Sequence, residues 1–187
     1  MARIALDVET FRKRFETGAR TYLFYMEPQF PSSVLAGGMS SNDATFLVKS
    51  TSLPSSSFEE LVASWQGFDY KAAGKRTYDN WTVSFNVDWQ ANIRNTFVNW
   101  MDIILDPKKN EPALPTTYMK EQKIHLLGLD TFTPAITYTL KACWPSQVGE
   151  ITLDYADSAY ASFDVTFTYL YYTTGDTAGN ASYATTG

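Results

Sequence analysis

The sequence predicts a mainly β protein in which antiparallel sheets form a β-sandwich or β-barrel-like body, with one packing α-helix and a short N-terminal helix. Its 187 residues favour a single domain. Phe, Trp and Tyr make up 16% of the chain, and aromatic and β-branched residues are enriched in strands. Several segments alternate apolar and polar residues, as half-buried strands do. One segment alone has the spacing of a long amphipathic helix.

The N-terminal quarter is predicted to contain one short helix and two strands. Residues 7–16 suit a helix because their apolar side chains fall on one face and Gly18 follows them. Those side chains are Val8, Phe11 and Phe15. Strands are expected over residues 21–26 and 46–51, with a loop over residues 32–43 between them.

The middle of the chain holds the clearest periodic patterns. Residues 58–71 are expected to form one or two strands with a bend at Gly67, and residues 72–75 a turn. Residues 81–88 alternate so that one face is apolar and the other polar. Residues 92–106 carry apolar side chains on one stripe, which predicts the packing helix, with a cap at its first residue. The stripe consists of Ile93, Phe97, Trp100, Met101, Ile104 and Leu105.

Three further strands are expected in the C-terminal half, over residues 120–129, 135–144 and 160–173. In the second of these, Ile136 and every second residue after it as far as Trp144 are expected on one face. The predicted organisation is an arm over residues 1–20, a β domain over residues 21–173 and a C-terminal extension over residues 174–187.

Composition argues against catalysis and against tight binding of nucleic acid. The net charge is −5, and static DNA binding needs a basic surface that neutralises phosphates. One histidine, His125, and one cysteine, Cys143, are too few for a zinc site, which takes about four ligands. No apolar run approaches the roughly 20 residues of a membrane-spanning helix, and no secretory signal is recognised. We therefore expect a structural protein with no cofactor, no metal and no membrane partner.

Three separated segments share the pattern of a known family. Residues 71–100 contain an Ala-Gly-x-Arg-Thr run that leads to Trp81 and then to the predicted helix. Residues 138–172 contain Trp-Pro-x-x-Val-Gly-Glu followed by a Phe-x-Val-Thr strand. Together with residues 48–54, these segments resemble the tail tube proteins of contractile-tailed bacteriophages, in order and spacing, over more than half of the chain.

The resemblance implies a structural protein of the virion, located in the phage tail and assembled in the host cytoplasm. Six copies would form a ring, rings would stack inside a contractile sheath, and the inner strands would close into an intersubunit β-barrel around a channel. Double-stranded DNA would pass through this channel without being tightly bound. The implied partners are further copies of the chain and the sheath, tape-measure, baseplate and tail terminator proteins.

The candidate channel-facing residues come from the polar faces of two predicted strands. They are Asn86, Asp88, Ser162, Asp164, Thr166 and Thr168. An acidic wall would let DNA slide because it does not attract phosphate. The alternative, that this polar face is the outer surface towards the sheath, stays open at this point.

The residues that carry the resemblance are expected to have structural roles. Gly74 is expected to permit a turn, Arg76 and Asp79 to pair across it, and Pro145 and Gly149 to punctuate the connection after the preceding strand. The full set is Gly74, Arg76, Asp79, Trp81, Trp100, Trp144, Pro145 and Gly149.

Other functions remain compatible with the same sequence. A tube-initiating baseplate protein and the tube of a phage-like contractile injection particle would share the fold. A monomeric ligand-binding β-sandwich, which belongs to a different class, would need an apolar pocket with a few convergent polar groups.

Overall fold

The computed structural model describes residues 8–15, 18–129, 133–156 and 158–176. It is mainly antiparallel β structure, as the sequence predicts. In chain order the elements are α1 (Val8–Phe15), β1 (Phe24–Glu27), α2 (Ser41–Leu47), β2 (Val48–Thr51), β3 (Ser56–Trp65), β4 (Phe68–Tyr78), β5 (Trp81–Asn86), α3 (Asn92–Ile104), α4 (Pro115–Tyr118), β6 (Lys120–Leu127), β7 (Pro134–Val148), β8 (Ser162–Thr168) and β9 (Tyr171–Asp176).

The long strand β7 connects two groups of strands. Its first part pairs with β6 on one side and with β9 on the other, whereas residues 144–148 pair with β8. The strand order is β1-β6-β7-β8-β5-β2, with β9 beside β7, and β3 and β4 form a separate two-stranded sheet. Ala142 has a φ of +54° where β7 changes partners, and such an irregularity bends a strand. We call β2, β5, β8 and residues 144–148 the four-stranded sheet.

Helix α3 supplies the centre of the hydrophobic core, against one face of the four-stranded sheet. The ring centroid of Phe97 lies 5.0 Å from that of Phe85 and 5.9 Å from that of Phe167. Trp100 is fully buried, and its indole Nε1 donates a hydrogen bond to the carbonyl oxygen of Tyr118 at 2.9 Å. The predicted helix and the predicted alternation of β5 are therefore confirmed. The buried side chains of these elements are Trp81, Val83, Phe85, Ile93, Thr96, Phe97, Trp100, Phe163, Val165 and Phe167.

The two ends of α3 differ from the prediction. Asn92 is the first helical residue and not the cap, a position that Ala91 takes with a φ of +55°. The Asp88 carboxylate accepts a hydrogen bond from the Ile93 amide at 3.0 Å, and this satisfies one of the free N–H groups that every helix start leaves. The helix ends at Ile104, so Leu105 lies beyond it and is exposed.

The turn predicted at residues 72–75 is wrong. β3 and β4 form a long hairpin that reverses at residues 66–67, and residues 72–75 lie inside β4. Gly67 has a φ of +81°, which glycine adopts without strain. Gly74 therefore has another reason to be glycine: a Cβ there would lie 2.9 Å from the carbonyl oxygen of Glu59 on the facing strand. The residue permits the close approach of two strands at the irregularity beside Glu59.

The connection predicted after Trp144 does not begin at Pro145. β7 continues through Pro145 to Val148. The predicted face is also wrong after Leu140, because the bend at Ala142 shifts the alternation. As a result Cys143 is buried and Trp144 is half-buried.

The strand predicted over residues 160–173 is two strands. β8 ends at Thr168, the Leu170 amide then donates to the Lys141 carbonyl oxygen at 3.0 Å, and β9 pairs with β7. β9 runs across the boundary predicted at residue 173, and the division into arm, domain and extension stays a prediction. Residues 177–187 and Asp7, the first residue of the predicted N-terminal helix, lie outside the described residues.

The N-terminal part contains one helix where the sequence predicts a loop and the start of a strand. Helix α2 occupies part of the predicted loop and the start of the predicted second strand. It begins with a capping box in which the Ser40 Oγ accepts from the Asp43 amide at 3.2 Å and the Asp43 carboxylate accepts from the Ser40 amide at 2.9 Å. The predicted helix α1 is present, but Val8, Phe11 and Phe15 are exposed on its surface.

Candidate functional site

The face of β5 and β8 that points away from the core is polar. The two strands pair antiparallel, so that Thr82 lies beside Thr166, Ser84 beside Asp164 and Asn86 beside Ser162. We call these six residues the polar face. The residues between them along both strands are the buried core residues. Strict alternation on both strands therefore separates the core from a polar surface within one layer.

Hydrogen bonds link the members of the polar face across the strands. Ser84 Oγ donates to Asp164 Oδ1, and the hydroxyl oxygens of Thr82 and Thr166 are 3.4 Å apart. Cross-strand pairs of this kind stabilise a sheet. The hydroxyl groups and the Asp164 carboxylate therefore satisfy part of their hydrogen-bonding capacity within the polar face.

The polar surface continues onto the two outer strands of the four-stranded sheet. On β2, Ser50 lies beside Ser84, and the Lys49 ammonium donates to Ser162 Oγ at 3.1 Å. On β7, Gln147 lies beside Thr166. Gln147 and Glu150 line a shallow open depression together with Thr82, Asp164 and Thr166. The wall thus carries both signs of charge.

Five of the six candidate channel-facing residues lie on this one surface. Asn86, Ser162, Asp164 and Thr166 belong to the polar face, and Thr168 continues it and donates to Asn80 Oδ1 at 3.2 Å. That they line a channel stays a prediction.

Asp88 does not extend this surface. β5 ends at Asn86, and Asp88 follows it with its carboxylate turned to the start of α3. The polar alternation of the sequence continues past the end of the strand, so it predicts for Asp88 a place on the polar surface that the residue does not take.

Other members of the surface were absent from the candidates. Ser84 and Thr82 could have been added, because they alternate with Trp81 and Val83 in the same run. Lys49 and Gln147 could not, because each sits at an irregularity in strand pairing. No sequence period marks such a position.

The residues of the family pattern hold the ends of the strands together. The Trp81 indole donates to the Ser52 carbonyl oxygen at 2.7 Å. The Gly149 amide donates to the Asp164 carbonyl oxygen at 2.7 Å, and a Cβ on Gly149 would lie 2.9 Å from that same oxygen. Arg94 donates to the Gly149 carbonyl oxygen at 2.6 Å. The Gly149–Asp164 contact fixes the end of β7 beside β8 at the edge of the polar face, and Arg94 ties the same end to α3.

The expected pair of Arg76 and Asp79 is replaced by other contacts. Arg76 donates to Ser56 Oγ at 2.9 Å, and its guanidinium lies 5.0 Å from the ring centroid of Tyr78. Asp79 instead accepts from Ser55 Oγ at 2.7 Å. Both residues therefore hold together the two ends of the hairpin at its base.

The histidine and the cysteine occupy structural positions. His125 is 7% exposed, its Nδ1 lies 2.9 Å from Thr137 Oγ1, and burial lowers its pKa below the ordinary value despite the nearby Glu27. Burial raises the pKa of the Cys143 thiol, so the reactive thiolate is disfavoured. Within the described ranges, no group of three His, Cys, Asp or Glu residues is placed to hold a metal ion, and no helix there has the length and apolarity to cross a membrane.

The comparison with protein families and the comparison with individual proteins point to the same family. A family model described as phage tail tube protein matches residues 17–175. The tail tube protein of Enterobacteria phage T4 is 29% identical over 164 residues, which cover 85% of this chain and 94% of that protein. The tail tube protein of Serratia phage KSP90 is 25% identical over 83% of this chain and 90% of its own length.

Two solved structures illustrate the likeness in fold. One is a chain of the sheath-tube complex of the PVC extracellular contractile injection system in its extended state, with a TM-score of 0.61 and 14% identity over 91% of this chain and 99% of that chain. Another is a chain of the baseplate of the anti-feeding prophage, with a TM-score of 0.62 and 13% identity over 86% of this chain and 97% of that chain. At such identities, these structures establish a shared fold.

Proposed function

This chain belongs to the phage tail tube protein family, and we propose that six copies close their four-stranded sheets into a ring with the polar face towards the lumen. The chain is accordingly a structural component of the virion and a subunit of the tail tube, not an enzyme. This agrees with the expectation from composition.

The observation that carries the proposal is the pair of open edges on the four-stranded sheet. Among the described residues, β2 pairs with β5 alone, and residues 144–148 of β7 pair with β8 alone. Unpaired strand edges expose N–H and C=O groups that bind another strand. Closure into a barrel satisfies both edges at once.

The direction of the strands suits such a closure. Each neighbour in the sequence β2-β5-β8-β7 is antiparallel to the next. The two outer strands therefore run in opposite directions, and β2 of one copy meets β7 of the next as an antiparallel pair. This contact joins two different edges of the sheet. A head-to-tail contact of this kind generates a closed ring when the rotations that relate successive copies add up to a full turn.

Dimensions favour the polar face as the lumen wall. Six copies would supply roughly 24 strands, which at a spacing of about 4.8 Å and a tilt of about 40° enclose a circle about 48 Å across. A helix layer on the inside would narrow this circle by about 10 Å on each side. The polar face leaves the lumen wide, and the mixed charges of Asp164 and of the neighbouring Lys49 and Glu150 offer no basic track for phosphate. Double-stranded DNA would pass along it without tight binding.

The shared fold also supports the proposed partners. The PVC structure is a sheath-tube complex and a related structure from that system contains the sheath and tube terminator. We extend this to a contractile sheath, a tail terminator and a baseplate protein for this chain, and to a tape-measure protein in the lumen before ejection. The curated relatives are tail tube proteins, which favours the tube itself over a tube-initiating baseplate protein, an injection-particle tube or a monomeric ligand-binding sandwich.

Disulfide formation across the seam tests the ring. Ser50→Cys is combined in turn with Ser146→Cys, Gln147→Cys and Val148→Cys, because a disulfide requires Cα atoms about 4.4–6.8 Å apart. At least one combination is expected to give, on oxidation of assembled protein, a ladder of covalent multimers that ends at six copies on a denaturing gel.

The single variants and the pair Ser57→Cys with Gln147→Cys serve as controls, since Ser57 lies on the hairpin and not on β2. Assembled protein that stays monomeric on the gel in all three combinations would show that these edges do not meet.

A further inference from the structure

Helix α1 presents an apolar stripe that the described part of the chain leaves uncovered. Val8, Phe11 and Phe15 are three and four residues apart and therefore share one face of the helix. Their side chains are 79%, 64% and 68% exposed, and the ring centroids of Phe11 and Phe15 are 5.0 Å apart. A helix of eight residues gains most of its stability from the packing of its apolar face. The stripe is therefore suited to packing on another surface.

Basic side chains accompany this stripe. Arg12 is four residues after Val8 and so borders the stripe, and both Arg12 and Lys13 are exposed. The chain as a whole has a net charge of −5, so a basic helix is complementary in charge to another copy of the same chain. The family model begins at residue 17. Because α1 precedes the matched part, its partner is inferred from the chemistry of this chain alone.

The loop between β7 and β8 has the complementary chemistry. Leu153, Tyr155 and Tyr160 are highly exposed there, and Glu150 and Asp154 are exposed in the same loop. The two carboxylates line one open depression of about 520 Å³ together with Leu153 and Tyr160. An exposed apolar surface bordered by polar groups marks an interaction site. We call these five residues the loop patch.

Both surfaces belong to the same end of the four-stranded sheet. β7 reaches this end at Gly149, whose amide donates to the Asp164 carbonyl oxygen, and β2 begins there at Val48. The segment 21–26 follows α1 and lines one groove together with the segment 45–51. The loop patch therefore follows one outer edge of the sheet, and α1 precedes a segment that lies along the other.

We infer that α1 packs its apolar stripe on the loop patch of the neighbouring copy in the same ring. In the proposed ring, β2 of one copy lies one strand spacing, about 4.8 Å, from β7 of the next copy, but three spacings, about 14 Å, from β7 of its own chain. Residues 16–23 join α1 to β1 and extend over at most about 29 Å. α1 therefore reaches the neighbouring loop patch, where its basic side chains meet the two carboxylates.

The contact adds to the pairing of β2 with β7 and gives a partner to two exposed apolar surfaces. A basic amphipathic helix also suits a surface of anionic lipid, but the acidic loop patch of the same chain favours the protein partner. The inference rests on the proposed ring, and it assigns a lateral contact between neighbours to α1.

Reversal of charge on each side of the contact tests the inference. One variant carries Arg12→Glu with Lys13→Glu, and a second carries Glu150→Lys with Asp154→Lys. Each variant alone brings like charges together and is expected to raise the protein concentration needed for ring formation about tenfold. An equal mixture of the two is expected to recover to within about twofold of the original chain, because α1 of each variant then meets the opposite charge on the other.

The mixture distinguishes the neighbouring copy from the same chain, since α1 and its own loop patch would repel each other in both variants whether or not they are mixed. Analytical ultracentrifugation measures the six-copy species and so reports on contacts within one ring. Lys108→Glu with Lys109→Glu is the matched control on exposed residues after α3 and should assemble like the original. Thermal melting of the unassembled variants checks that each is folded.

The apolar half of the contact has its own test. Phe11→Ser combined with Phe15→Ser is expected to weaken ring formation at least about tenfold, because two aromatic side chains no longer become buried. Leu114→Ser is the control, since Leu114 is as exposed as these rings and lies outside both surfaces.

Rings that form equally well from the original chain and from these variants, or no recovery in the mixture, would overturn the inference and leave the ring intact. Unchanged ring formation together with stripe-dependent binding to vesicles of anionic phospholipid would overturn it in favour of a lipid surface. An original chain that forms no rings would contradict the proposed function first.

Discussion

Trp100→Ala is expected to lower the free energy of unfolding by about 3–5 kcal/mol. The side chain is fully buried and makes edge contacts with Phe30 at 5.7 Å and with Phe167 at 6.3 Å between ring centroids. Its loss leaves a cavity between α3 and the four-stranded sheet. It also removes the donor to the Tyr118 carbonyl oxygen, and a partly buried acceptor left without a partner adds to the penalty.

Urea unfolding followed by circular dichroism measures this loss in the unassembled protein. Trp89→Ala is the matched control, because Trp89 is 95% exposed and a substitution at such a position changes stability by about 0.5 kcal/mol or less. A Trp100→Ala protein with a stability within about 1 kcal/mol of the original would contradict the packing of α3 on the sheet.

Asp164→Lys is expected to permit tube assembly but to make the lumen of the tube bind DNA. Asp164 is exposed on the polar face, so the change adds two units of positive charge per copy without disturbing the buried residues on either side of it. Lysine side chains bind phosphate through the release of counterions. We expect DNA ejection to slow by roughly tenfold or more at low salt and to recover as salt is raised.

Ejection from reconstituted particles, followed with a DNA-binding dye over a range of salt concentrations, measures this effect. Asp102→Lys makes the same change of charge on an exposed position of α3, on the other side of the sheet, and should eject normally. If both variants eject like the original, or both are slowed alike, the polar face does not line the channel.

The period of the hydrophobic pattern was enough to predict the parts that build the core and the polar face. Phe97 and Trp100 follow the spacing of one helix stripe, and the alternation around Phe163 separates Ser162 and Asp164 from the core. In these segments, local pattern and tertiary burial agree, which is the usual condition for a correct prediction from sequence.

The bends in the sheet could not be predicted in the same way. Ala142 adopts a positive φ without being glycine, and Pro145 lies buried inside a strand although proline usually ends one. Gly74 suggested a turn, whereas the turn is at Gly67 and Gly74 is needed for the approach of Glu59. In each case, pairing with a distant strand overrides the local preference of the residue.

Helix α2 did carry a local signal that the interpretation of residues 32–43 as a loop overlooked. A serine followed three residues later by an acidic residue is the pattern of a capping box, and Ser40 and Asp43 form it. For Asp88, in contrast, a local signal was present but misleading. The polar alternation continues past Asn86, but the Asp88 carboxylate accepts a hydrogen bond from the Ile93 amide at the start of α3 instead of facing the polar surface.

The proposed function depends on the closure of six copies of this chain into a ring whose polar face lines a channel. Electron cryo-microscopy of the purified, assembled protein tests it most directly. We expect a hollow tube with sixfold symmetry, β2 of one copy paired with residues 144–148 of β7 in the next, and Ser84, Asp164 and Thr166 on the lumen surface. A tube with α3 on the lumen side, a different edge pairing, or a protein that stays monomeric at every concentration and with a tube initiator present, would contradict it.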